Sequence, residues 1–162
     1  MRADDDITAA TRRSFLRGAA GFVGGIGIIS VFPAHESAAS DQLNDAIKKV
    51  VGDKPLRKGR VTLGIPAMVE NGNTVSVDVA VESPMTAADH VKAIHVFNEK
   101  NPQPNVISIK LGPHAGKAAI STRMRLATTQ QVVAVAEMSD GTVWSDSADV
   151  FVALAACQED PG

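Results

Sequence analysis

The stretch Val75-Ser76-Val77-Asp78-Val79-Ala80-Val81 places a valine at every second position, with small or polar residues between. Side chains on a strand alternate between its two faces, so this period of two predicts four valines on one buried face and a second face open to water. Moving outward, short apolar or alternating runs recur at 91–97, 106–111, 119–126, 132–138, 142–144 and 150–154. Turn signals separate them: Asn71-Gly72, Ser83-Pro84, Asn101-Pro102-Gln103-Pro104-Asn105, Gly112-Pro113 and Asp140-Gly141. About seven or eight short strands spaced in this way, with no second helical stretch, predict an all-β fold, an antiparallel sandwich over residues 61–154. No internal repeat is visible.

Before residue 61 the period is helical. Ser40 is an N-cap candidate, Leu43, Ala46, Ile47, Val50 and Val51 follow at i, i+3, i+4, i+7 and i+8, and Gly52 is the stop. Residues 40–60 therefore read as one short N-terminal amphipathic helix and a linker. The linker, Lys54-Pro55-Leu56-Arg57-Lys58-Gly59-Arg60, is expected to be a solvated loop, with an anion or partner contact as the other reading.

Further upstream, Thr11-Arg12-Arg13-Ser14-Phe15-Leu16-Arg17 precedes an uncharged run from Gly18 to Phe32. A paired arginine with Phe-Leu is the twin-arginine signal pattern. The run has 15 residues and five glycines, too short and too weakly apolar for a span of about 20 residues. Residues 1–39 are therefore expected to be a cleaved signal peptide, with small residues at Ser37 and Ala39 and a mature start near Ser40. Such a signal carries proteins that are already folded, so a cofactor or partner chain is expected to join before export. No cofactor motif follows; a partner chain is the better expectation, with a periplasmic destination and no membrane attachment after cleavage.

Composition narrows the function. The chain has 162 residues, enough for one domain. Its 16 Lys plus Arg against 18 Asp plus Glu argue against nucleic-acid binding by phosphate neutralisation. Three of the five Phe lie in the first 32 residues, so base stacking and a large flavin or haem pocket have little support. A single cysteine excludes an internal disulfide and any CxxC pair.

The remaining candidates for chemistry are few. His35 falls in the export segment, His90 and His95 are five apart and point to opposite sides of a strand, and His114 lies in a Gly-Pro loop; no shared metal site follows. These histidines are expected at the surface or locally hydrogen-bonded. Arg123 and Arg125 share a strand face, expected to be solvated. Asp146, Asp149, Glu159 and Asp160 have no spacing that pairs two carboxylates for acid–base work. Cys157 stands apart. It follows the last apolar run and Ala155-Ala156, with Gln158-Glu159-Asp160-Pro161-Gly162 beyond it, so its thiol is expected on an exposed tail, residues 155–162. A lone exposed thiol in an oxidising compartment is a liability unless it is used.

Several stretches carry a family resemblance: Ser83-Pro84-Met85-Thr86, His95-Val96-Phe97, Lys100-Asn101-Pro102-Gln103-Pro104-Asn105-Val106, Ser121-Thr122-Arg123 and Val132-Val133-Ala134-Val135-Ala136-Glu137-Met138-Ser139-Asp140-Gly141. From about Ile65 to Val152 the chain resembles SoxY, the sulfur-carrier subunit of the periplasmic Sox thiosulfate-oxidising system. The resemblance implies an immunoglobulin-like sandwich and a heterodimer with SoxZ, which lacks its own export signal. It also implies a carrier that catalyses nothing itself. The cysteine is joined oxidatively to thiosulfate by the haem protein SoxAX, SoxB hydrolyses the sulfonate to sulfate, and the sulfane dehydrogenase oxidises the remaining sulfur. Cys157 carries over as the covalent sulfur-bearing position.

Its flanks depart from the family. SoxY tails tend to end in Gly-Gly-Cys-Gly, whereas this one reads Ala155-Ala156-Cys157-Gln158. Alanine narrows backbone freedom, Gln158 adds bulk beside the sulfur, and Glu159 and Asp160 disfavour an anionic adduct. A second reading follows, in which the sandwich and partner dimer persist but the tail no longer carries sulfur. An independent enzyme is the weakest reading, since no nucleophile–base pair is visible.

Overall fold

The computed structural model describes residues 35–154, with side chains from Ala39 onward; the expected signal peptide 1–39, apart from residues 35–39, and the expected tail 155–162 lie outside them. The elements are α1 (His35–Val51), β1 (Leu56–Arg57), β2 (Val61–Gly64), β3 (Met68–Asn71), β4 (Val75–Val81), β5 (Val91–Asn98), β6 (Asn105–Lys110), β7 (Ala119–Met124), β8 (Gln130–Met138) and β9 (Val143–Leu154). One sheet runs β1-β9-β8-β5-β6, with β3 also on β9, and a second runs β2-β4-β7. They stack as an immunoglobulin-like sandwich.

Strand β4 has the alternation its sequence predicts, with Val75, Val77, Val79 and Val81 buried and Ser76, Asp78 and Ala80 exposed. Its four valines meet Ile94 and Val96 of β5, Val132 and Ala134 of β8, and Val150 of β9 across the inter-sheet core. Each such side chain contributes about 1.5–3 kcal/mol by leaving water. The outer face of the larger sheet carries a second core. There Leu43, Ile47 and Val51 of α1 pack on Phe97, Val133, Val135 and Val143. Strands β5 and β8 are thus buried on both faces, which explains their near-continuous apolar sequences. Gly52 ends α1 as predicted, with φ 74° and its amide donating to the Lys48 carbonyl at 2.9 Å.

Four features differ from the sequence expectation. The helix begins at His35, so Ser40 lies inside it and not at its N-cap; Glu36, Ala38 and Ala39 are good helix formers and let it extend back. The runs 142–144 and 150–154 are parts of one strand of 12 residues. Its polar middle stays extended because β8 pairs with it from Val143 to Val150, and Asp146 Oδ2 accepts the Leu63 amide at 2.9 Å. The linker 54–60 contributes β1. Finally, β1 and β3 both run parallel to β9, so the sandwich is antiparallel except along that edge.

Candidate functional site

In the chain, Cys157 follows the end of β9, and the tertiary structure pins that end. Beyond Val150, the last residue paired with β8, β9 continues for four residues alongside β3, in register Met68↔Phe151, Val69↔Val152 and Asn71↔Leu154. The Phe151 amide donates to the Ala67 carbonyl at 2.8 Å, the Val152 amide to Thr129 Oγ1 at 3.0 Å, and the Gly72 amide to the Leu154 carbonyl at 2.9 Å. Val150 and Val152 anchor one face in the inter-sheet core. The other face carries Phe151, 51% exposed, beside Met68, 70% exposed, and Leu154 is 66% exposed at the tip. A strand held to its last residue, with apolar side chains facing solvent, is the platform from which the tail starts. Cys157 and its flanks Ala155, Ala156 and Gln158 lie outside the described residues.

The histidines do not assemble. His90 Nδ1 bonds the Thr86 carbonyl at 3.0 Å, a local contact of the expected kind, and His114 is exposed. His95 differs from the surface-or-local expectation: it is 6% exposed, with Nδ1 2.8 Å from Ser108 Oγ and Nε2 3.2 Å from Glu137 Oε1. Its position on the helix-covered face of β5 buries it, and Ser108 and Glu137, on the two neighbouring strands, satisfy both ring nitrogens. The residue reads as a fastener between three strands. No sequence period marks such a cross-strand triad, because its members are 13 and 42 positions apart.

Other motifs of the family resemblance also turn out to hold the fold. In Ser83-Pro84-Met85-Thr86, Met85 adopts φ 50°, its amide donates to Ser83 Oγ at 3.2 Å, and its side chain enters the inter-sheet core. Asn101 is a hub: Oδ1 accepts from the Ala127 amide at 2.9 Å and Gln130 Nε2 at 2.8 Å, while Nδ2 donates to the Arg125 carbonyl at 2.8 Å. Arg123 and Arg125 are exposed, as expected. Asp146 and Asp149 make separate contacts, Asp146 to the Leu63 and Ser147 amides and Asp149 to Gln131.

At the opposite end of β9, Trp144 lies under two guanidinium groups, Arg57 at 5.9 Å and Arg60 at 5.7 Å from the ring centroid. Arg60 also meets Asp89 at 2.9 Å. Both arginines of the basic linker are thereby engaged on the domain. The Thr142 hydroxyl and amide both donate to Asp140 and hold its carboxyl below the usual carboxylate range, with attraction from Arg60 and Arg57 adding to this. An open groove of about 460 Å³ between α1 and the 102–105 loop sets Asp45 and Lys49 beside Pro102 and Pro104, without a nucleophile next to a base. Among the described residues there is no group of three or more potential metal ligands, and no helix long and apolar enough to cross a membrane.

Comparison with known proteins defines the class and then the family. A solved structure, that of the sulfur carrier protein SoxY from Chlorobium limicola f thiosulfatophilum, is 30% identical over 70% of this chain and 97% of its own, with a TM-score of 0.60. Superoxide reductases from Ignicoccus hospitalis (17% identity, 67% of this chain and 86% of that one, TM-score 0.52) and Nanoarchaeum equitans (10%, 59% and 100%, TM-score 0.50) share the fold alone. The search of curated proteins yields no match. The family model for the sulfur oxidation protein SoxY matches residues 47–157. This is a sulfur-oxidation protein on an immunoglobulin-like sandwich. The chain belongs to the SoxY family.

Proposed function

We propose that this protein is a periplasmic sulfur carrier, exported by the twin-arginine route, that holds thiosulfate-derived intermediates on Cys157 and presents them to enzymes. The observation that carries the reading is the extent of the family match, which runs to Cys157 itself. One feature of the structure supports it: the strand preceding the tail is pinned through Leu154. The chain acts as substrate-bearing partner and not as catalyst. It pairs with a SoxZ-like subunit, which explains a folded-export signal without a cofactor.

The chemistry balances on the thiolate, the form of cysteine that makes sulfur–sulfur bonds. Cys157 thiolate and thiosulfate lose two electrons to a SoxAX-like haem enzyme and join as a cysteine S-thiosulfonate. A SoxB-like hydrolase then adds water, releasing sulfate and two protons and leaving a persulfide for a sulfane dehydrogenase-like enzyme. Ala155, Ala156 and Gln158 make the arm stiffer and bulkier than a glycine-flanked one, so it suits partners with a wider cleft. Intact-mass measurement after exposure to thiosulfate and the haem enzyme should show an adduct on the wild type that is absent from Cys157→Ser. An unmodified wild type would overturn the reading in favour of a non-carrying subunit.

A further inference from the structure

The geometry points to a docking surface at the root of the arm: Met68 and Phe151, ringed by Glu70 and Asp149, receive the rim of an enzyme cleft that takes in Cys157. This rests on the carrier reading above. Met68 and Phe151 face each other in the parallel β3–β9 register and stand on one side of the sheet, 70% and 51% exposed. Glu70 and Asp149 are the next residues on that side of their strands, both exposed. Helix α1 covers the same side of β9 only at its other end, over Val143.

Two observations select the occupant. The first is where the described chain stops. Cys157 lies three residues beyond Leu154, and three extended residues span at most about 11 Å. Any enzyme that surrounds the Cys157 sulfur must bring its outer rim close to Leu154, Phe151 and Met68. The second is area. At about 150–200 Å² for a fully exposed large side chain, Met68 and Phe151, 70% and 51% exposed, offer roughly 200 Å². A stable subunit interface takes about 800 Å² from each partner. The patch therefore suits a brief contact repeated with each visiting enzyme, not the permanent partner subunit. The two carboxylates call for a rim that is apolar at its centre and carries Lys or Arg at its edge.

The test uses the mature carrier with its partner subunit, thiosulfate and the haem enzyme that loads Cys157. Threonine keeps strand preference while removing apolar area, so Met68→Thr/Phe151→Thr is the principal variant and Met68→Thr alone is the milder one. Loading is followed by intact mass, and Cys157 accessibility by a small aromatic disulfide reagent that needs no docking surface. Losing a central apolar contact lowers kcat/KM for loading by about tenfold, with kcat at saturating carrier, reagent reactivity and heterodimer elution unchanged. Wild-type kcat/KM in the folded double variant, or in the single variant if the double one unfolds, would overturn the docking surface. So would dissociation of the partner subunit, which would make the patch its interface. A wild type that acquires no adduct defeats the carrier reading itself, a result distinct from an adduct that forms equally fast on the variants.

Discussion

The two ends of β9 share one backbone ladder and have opposite fates. At the first end, Val143 is 1% exposed beneath α1 and Trp144 is held under Arg57 and Arg60. At the last, Phe151 and Leu154 face solvent although their backbone groups are hydrogen-bonded like those upstream. The difference lies in cover: β9 outruns both β8 and α1, and only β3 accompanies it. A strand can thus be rigid because its edges are paired and still be open because its face is bare. Rigidity with openness is what the root of the proposed carrier arm would require.

Charge insertion should separate the two ends most strongly. Val143→Asp places an unpaired carboxylate under the helix and is expected to cost more than about 4 kcal/mol or to prevent folding. Phe151→Asp should cost less than about 1 kcal/mol, since its side of the strand already meets water. Comparable losses in urea unfolding would break the contrast. A finer comparison uses adjacent residues on opposite faces. Val150→Ala, at a site with 0% exposure, is expected to lose about 2 kcal/mol from the inter-sheet core, while Phe151→Ala stays within about 0.5–1 kcal/mol.

Thr129→Val tests the pinning itself. It removes the acceptor for the Val152 amide and should cost about 1 kcal/mol, with faster amide exchange confined to residues 151–154. Unchanged exchange there would show that β3 alone holds the strand. The smallest effect belongs to Asp140, beside the anchored end. Its folded carboxyl is held below the ordinary range by Thr142. It therefore stabilises the fold above its unfolded pKa, and the contribution is lost as pH falls through the lower folded value. Asp140→Asn should lower the melting temperature slightly at neutral pH, with the difference vanishing in strong acid. A difference independent of pH would assign the effect to hydrogen-bond geometry and not to charge.

The resemblance-bearing motifs bear on the same contrast. Ser83-Pro84-Met85-Thr86, His95 and Asn101 carry the family resemblance in sequence, and each serves the fold. The first is a strained turn plugged by Met85, the second a cross-strand fastener, and the third a loop hub. Sequence periodicity could not separate these roles, because the partners Ser108, Glu137, Ala127 and Gln130 are distant in the chain. The parallel β3–β9 pairing was hidden for a related reason. Met68-Val69-Glu70-Asn71 is too short and too mixed to display a period, and it is a strand because it lies parallel along the edge of β9 that faces away from β8.

What the sequence determined by itself is whatever local chemistry encodes: the β4 alternation, the helical period ending at Gly52 and the turn residues between runs. These survive translation into structure because side-chain periodicity and backbone preference act within a few residues. Only the tertiary structure decided that two apolar runs were one strand and that His95 is buried. It alone placed Met68 beside Phe151 on an uncovered face. Each of these depends on which distant strand supplies a partner and where its cover ends, and no window of neighbouring residues contains that information.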